Sequence, residues 1–214
     1  MEYIKEPQSI EKRSFEIITE ELGEKINNFT EEELPIVKRI IHTTADFQYA
    51  DIIEFLNNPI ENGKIAIKNG CKIYCDTSMI LNGLNKNILK KFDCEAYTLI
   101  SDEEVAKESK ERGITRSIIG IEKASKDKNT KIFLIGNAPT ALYRLKELIE
   151  TKEIEKPYLV VGAPVGFVGA KESKEVFKSL DIPYITINGR KGGSTVTVAI
   201  LHGILYQLYK REGF

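Results

Sequence analysis

Only two histidines and three cysteines occur in the 214 residues, and tryptophan is absent. His42 and His202 lie too far apart in the chain to form a helical H-E-x-x-H pair, and neither belongs to an H-x-E deaminase pattern. Cys71 and Cys75 are spaced C-x3-C, with no second pair and no neighbouring histidine, whereas a structural zinc site takes about four ligands in close pairs. No metal site and no cofactor are therefore expected. The first residues, MEYIKEPQSIEKRS, are charged from the second position instead of basic and then apolar. Together with the odd cysteine count, this argues against an export signal and a disulfide framework. The thiols are expected to be reduced and mostly buried, and the cytoplasm is the expected location.

An excess of charge of one sign is missing too. Lys and Arg number 31 against 32 Asp and Glu, a net charge of -1. Such a chain has no broad field to draw in nucleic acid or an anionic membrane, so neither is expected as a partner, and any anion must be bound locally. The longest weakly polar runs, YLVVGAPVGFVGA and TVTVAILHGILYQLY, fall short of the roughly 18 to 20 apolar residues that span a bilayer. Neither G-x-G-x-x-G after the first β-rich run nor G-x-x-x-x-G-K-[ST] occurs, which removes the standard nucleotide fingerprints.

What is present is ordinary globular usage, 42% hydrophobic and 29% charged, with no internal repeat. One domain over residues 1–214 is expected, with a helical part (1–70) and an alternating β/α part (71–214). Ser9 is placed as the cap of a helix carrying Ile10, Ile17, Ile18 and Leu22. Thr30 and Glu33 have the form of a capping box, and Pro35 predicts a short turn before the next helix resumes. After Gly70 the runs KIYCD, EAYTLI, KIFLIG, YLVVG and YITIN alternate with helical segments, the mark of parallel strands with crossover helices. Near-continuous apolar runs such as Ile132 to Ile135 require cover on both faces. The fold class is thus an α/β three-layer sandwich around a mainly parallel five-stranded sheet. Ligands of such sheets sit beyond the carboxyl ends of the strands, here at Asp76, Ser101, Asn137, Ala163 and Pro164, and Gly189 and Arg190. The loops GNAPT, GAPVGFVGAKES and GRKGGS lie there, with backbone N–H groups, Arg190 and Lys191 suited to carboxylates or phosphates.

On a helical wheel LPIVKRIIHTTADF puts Ile36, Val37, Ile40, Ile41 and Thr44 on one arc and Arg39, His42, Thr43 and Asp46 on the other. Two readings follow: a solvated face with an incidental ion pair, or an acid–base site in which imidazole gives or takes a proton near neutrality. His202 lies in a helix apolar nearly all round, which points to a core or subunit-interface role. Arg116 in GITRS could cap a helix start or stay solvated, and Ser14 in KRSF sits mid-helix.

Taken in order, RSF (13–15), RIIHTTAD (39–46), GITRS (113–117), IGNAPTAL (135–142), VGAPVGFVGAKESK (161–174) and GRKGGS (189–194) resemble the precorrin-8X methylmutases over nearly the whole chain. One position departs: Ala45 stands where the family has glycine. The resemblance implies a flavodoxin-like sandwich, a homodimer and an isomerase of vitamin B12 biosynthesis that moves a methyl group from C-11 to C-12 of a corrinoid substrate. It further implies His42 as proton donor and acceptor, with Ser14 and Arg39 contacting substrate. Arg116, Asn137 and Arg190 are further candidates for substrate contact, and the next pathway enzyme is a candidate partner for hand-over of product. The main competing classes are a tetrapyrrole carrier without catalysis and a nucleotide or sugar-phosphate enzyme on the same fold.

Overall fold

The computed structural model describes residues 6–209. In chain order, α1 (Pro7–Leu22), a 3-10 turn (Gly23–Asn28), α2 (Glu33–Thr44) and the one-turn α3 (Tyr49–Ile52) precede β1 (Ile53–Leu56). Next come α4 (Pro59–Lys68), β2 (Lys72–Cys75), α5 (Ser78–Gly83), α6 (Lys86–Lys91), β3 (Glu95–Tyr97), α7 (Glu103–Arg112) and α8 (Arg116–Lys126). The last part runs β4 (Thr130–Ile135), α9 (Pro139–Glu150), β5 (Leu159–Gly162), α10 (Ala170–Phe177), β6 (Tyr184–Ile187) and α11 (Ser194–Leu208). Among the described residues no helix is long and apolar enough to cross a membrane.

The strands form one sheet in the order β1-β6-β5-β4-β2-β3. All pairs from β6 to β3 are parallel, and β1 is antiparallel to β6. Counted among themselves, the five parallel strands follow the 2-1-3-4-5 order of flavodoxin-like sheets. The five β-rich runs read from sequence are those five strands, but the sheet has a sixth, β1, inside the segment expected to be helical. Its four residues are too short to display alternation, and it leaves α3 without a loop. Only its tertiary register, Ile53 opposite Ile187 and Leu56 opposite Tyr184, identifies it.

Side-chain alternation explains why both faces are covered. Ile132 and Leu134 of β4 point into a cluster with Ile40 of α2, Ile67 of α4 and Ile200 and Ile204 of α11. Phe133 and Ile135, one step out of phase, join Ile121, Leu142, Leu145 and Phe177 from α8, α9 and α10. The result is helix, sheet, helix.

Local chemistry sets the helix that carries the opening motif. Thr30 and Glu33 make the reciprocal capping box: the Thr30 N–H donates to Glu33 Oε2 at 2.9 Å, and the Glu33 N–H to Thr30 Oγ1 at 3.2 Å. Pro35 does not interrupt α2, because it falls in the first turn, where its missing N–H has no intrahelical partner to lose. Ser9 is not the cap of α1. The helix begins two residues earlier, and the Ser9 hydroxyl donates to Glu6 Oε2 at 2.6 Å. Ile36, Val37, Ile40 and Ile41 are all buried. Gly203 of α11 lets α2 sit close, since a Cβ there would lie 2.8 Å from the Ile36 Cα.

Candidate functional site

Burying the apolar arc of α2 leaves Arg39 and His42 on its outer face, where α1 crosses it. Phe15 of α1 stacks on the His42 imidazole with ring centroids 5.1 Å apart and planes inclined by 18°. The Arg39 guanidinium lies over Phe15 at 4.7 Å and over Tyr206 of α11 at 5.0 Å. It also donates through Nη1 to Glu11 Oε1 at 2.7 Å. Two rings and a carboxylate therefore hold Arg39 in place, leaving its other N–H groups for a further acceptor. Ser14, next to Phe15 in sequence, donates its hydroxyl to the Ile10 carbonyl at 2.9 Å. Arg39 and His42 thus meet Phe15 where the two helices cross, one residue along the chain from Ser14.

Asp46 does not join them as a helical i+4 neighbour. The helix ends at Thr44, and Ala45 takes a left-handed conformation (φ 54°, ψ 28°) with its N–H returned to the Ile41 carbonyl. This is a C-terminal cap in which glycine is the usual residue, a physical reason for the glycine of the resemblance. Beyond the turn, Asp46 is hydrogen-bonded to Lys191 Nζ, which holds its carboxyl pKa below the usual range. That pair fastens the end of α2 to the GRKGGS loop. From beneath, the buried Lys174 donates to the Lys191 carbonyl at 2.8 Å, and its burial lowers its pKa to about 8. Gly192 touches the Ala163 carbonyl so closely (2.2 Å for an added Cβ, φ 145°) that no side chain fits.

At the carboxyl edge of the sheet the GNAPT loop is not an open anion cradle. Asp76, at the end of β2, accepts the backbone N–H groups of Gly136 (3.1 Å), Asn137 (2.8 Å) and Ala138 (2.9 Å). Burial pushes the Asp76 pKa up, and these donors work against the rise. A carboxylate already fills the place between β2 and β4 where a flavodoxin-like sheet offers amides to a phosphate. The Asn137 side chain is exposed. Arg116, also exposed, opens α8 and contacts the Ile100 carbonyl at 3.5 Å; the capping oxygen of that helix belongs to Thr115. Arg190 lies over the Phe167 ring at 5.4 Å. Among the described residues no hydrogen bond or ion pair joins Arg116, Asn137 or Arg190 to Ser14, Arg39 or His42. The described residues also contain no group of three or more His, Cys, Asp or Glu able to hold a metal.

Two clefts flank Arg39. One, of about 470 Å³, is lined by Phe15, Leu34, Pro35 and Lys38 among others; burial lowers the Lys38 pKa. The other, of about 260 Å³, runs between Thr43, Met79, Gly83, Val198 and His202. Residue patterns did not single out Met79 or Tyr206, and His202 is a cleft wall as well as a packed residue. Its Nε2 accepts the Asn85 N–H at 3.0 Å, which fixes that nitrogen as an acceptor. Only the packing of α5 and α11 beside α2 brings these side chains to Arg39.

The family model for precorrin-8X methylmutase matches residues 9–207. The chain is 49% identical over 212 residues to the cobalt-precorrin-8 methylmutase of Leptospira interrogans, covering 95% of each. It is 42% identical over 212 residues to that of Salmonella typhimurium, covering 97% of this chain and 99% of the relative. The crystal structure of a precorrin-8X methyl mutase from Thermus thermophilus superposes with a TM-score of 0.85 at 38% identity, over 92% of this chain and 94% of that one.

Proposed function

The chain belongs to the precorrin-8X methylmutase family, and we propose that it isomerises cobalt-precorrin-8 by moving a methyl group from C-11 to C-12 of the macrocycle. The cobalt-bearing substrate is preferred because the relatives at 42–49% identity are named for it, whereas two named for precorrin-8X are 32% identical. The cobalt arrives as part of the substrate.

A methyl shift within a conjugated ring needs no hydride or phosphate donor, because the ring accepts the electron density itself. What the protein supplies is a proton at the right place. His42, exposed at the surface but steadied by Phe15, donates to the ring-C nitrogen as charge develops and takes the proton back afterwards. General acid catalysis of this kind contributes typically about 10²- to 10⁴-fold. Arg39, held against Glu11, Phe15 and Tyr206, presents its remaining N–H groups to a substrate carboxylate, and Ser14 offers its hydroxyl oxygen beside it. Arg116, Asn137 and Arg190 serve carboxylates at the periphery.

Several apolar side chains stand exposed, Ile10 and Ile17 on α1 among them. A homodimer covering them fits this reading, and sedimentation of the full chain tests it. The observation that carries the functional reading is the stacking of His42 on Phe15 next to the fixed Arg39. Anaerobic incubation with metal-free and cobalt-bearing substrate tests the reaction: the absorption spectrum changes at constant mass, faster with cobalt. A released pigment with unchanged spectrum would leave a carrier instead.

A further inference from the structure

Cys71 immediately precedes β2, and Cys94 immediately precedes β3. These strands are parallel neighbours with Lys72 opposite Glu95, so the same register sets Cys71 beside Cys94, one residue upstream. The Glu95 N–H donates to the Cys71 carbonyl at 3.0 Å, which locks the two backbones together at this point. Both side chains enter the same apolar cluster, and their Sγ atoms are 4.0 Å apart. Adjacent strands stand about 4.8 Å apart, within the Cα separation of about 4.4 to 6.8 Å that a disulfide accepts. Closing the sulfur gap therefore needs side-chain rotation and a small shift of β3, an edge strand paired on one side only.

We propose that Cys71 and Cys94 are an oxidative modification site, at which a peroxide converts the pair into a disulfide tying edge strand β3 to β2. The two sulfurs share one contact in which either could be the donor, so the pair gives up its first proton more readily than its second. The first thiolate takes one peroxide oxygen as the O–O bond breaks; the other oxygen leaves as hydroxide and is protonated to water. The second sulfur then attacks the resulting sulfenic acid, gives up its proton, and releases a second water. Two thiols and one peroxide thus yield one disulfide and two waters. Cys75 takes no part. It is fully buried at the far end of β2, and its Sγ contacts the Ile73 carbonyl at 4.0 Å, with no hydrogen bond to Cys71 or Cys94 among the described residues.

The site lies at the amino ends of β2 and β3, away from the loops that carry Asp76 and Asn137, so its test does not depend on methylmutase activity. The folded full-length chain is treated with hydrogen peroxide, alkylated, digested and analysed by mass spectrometry. The expected product is one cross-linked peptide pair containing Cys71 and Cys94, lighter by the two hydrogens lost and separated by dithiothreitol, with Cys75 alkylated. Cys75→Ser keeps the cross-link. Cys71→Ser and Cys94→Ser each abolish the cross-link. Cys71 and Cys94 both remaining alkylated after treatment, or a cross-link through Cys75 in the folded chain, would overturn the proposal.

Discussion

The imidazole of His42 is stacked on the phenyl ring of Phe15, with centroids 5.1 Å apart and an 18° interplanar angle. Because Phe15 also underlies the Arg39 guanidinium at 4.7 Å, one side chain of α1 orients both polar groups of α2. Orientation of a proton donor is worth as much as its presence, since a misplaced acid transfers nothing in the transition state.

Phe15→Leu keeps an apolar side chain but removes the aromatic face. An aromatic pair is worth about 0.5–1.5 kcal/mol, so kcat should fall about two- to tenfold, with Phe15→Tyr close to the parent. Steady-state kinetics check this, and an unchanged kcat in Phe15→Leu would remove the positioning role.

Ala45 occupies a left-handed cap at φ 54°. Ala45→Gly relieves the strain of the Cβ at the cost of greater freedom in the unfolded chain, a net gain of about 0.5–1 kcal/mol. Urea unfolding should show a higher midpoint with an unchanged slope.

Asp76 holds three amides of the loop between β4 and α9. Asp76→Ala orphans all three, those of Gly136 and Ala138 in a buried place, and should destabilise by about 3 kcal/mol. Asp76→Asn, with one acceptor oxygen and an amide that opposes the donors, should fall between. Denaturant titration of the three proteins gives the order.

The Asp46 carboxyl pKa is depressed by Lys191 in the folded chain, against about 3.9 unfolded. A lowered folded pKa gives stability that is complete above the unfolded value and lost as the pH falls through the folded one. Lys191→Met should therefore cost a constant amount above about pH 5, and the gap to the parent should close below about pH 4. Both partners are partly exposed, so the cost is about 0.5 kcal/mol or less. Thermal unfolding across pH 2 to 8 follows it.

The strands of the parallel sheet were legible because β2, β4, β5 and β6 are buried on both faces and so read as short, nearly continuous apolar runs. β1 was not, since its four residues become a strand only by pairing with β6 across 130 residues of sequence. Arg39 and His42 were visible as polar neighbours on an apolar-backed helix. Asp46 was misplaced because a wheel extends a helix past its own cap: Ala45 gives no compositional warning of a left-handed turn. The three amides of Gly136 to Ala138 looked available to a ligand, because nothing local to GNAPT announces a carboxylate delivered from β2. Met79, Tyr206 and His202 belong to helices remote in sequence, and only the packing of α5 and α11 beside α2 brings them to Arg39.

The most direct measurement is single turnover of cobalt-precorrin-8 by His42→Ala under anaerobic conditions, with binding followed by the spectral shift of the bound pigment. The account predicts that the macrocycle still binds and that conversion slows by about 10²-fold or more. A His42→Ala protein that binds and converts the substrate at the parent rate would contradict it.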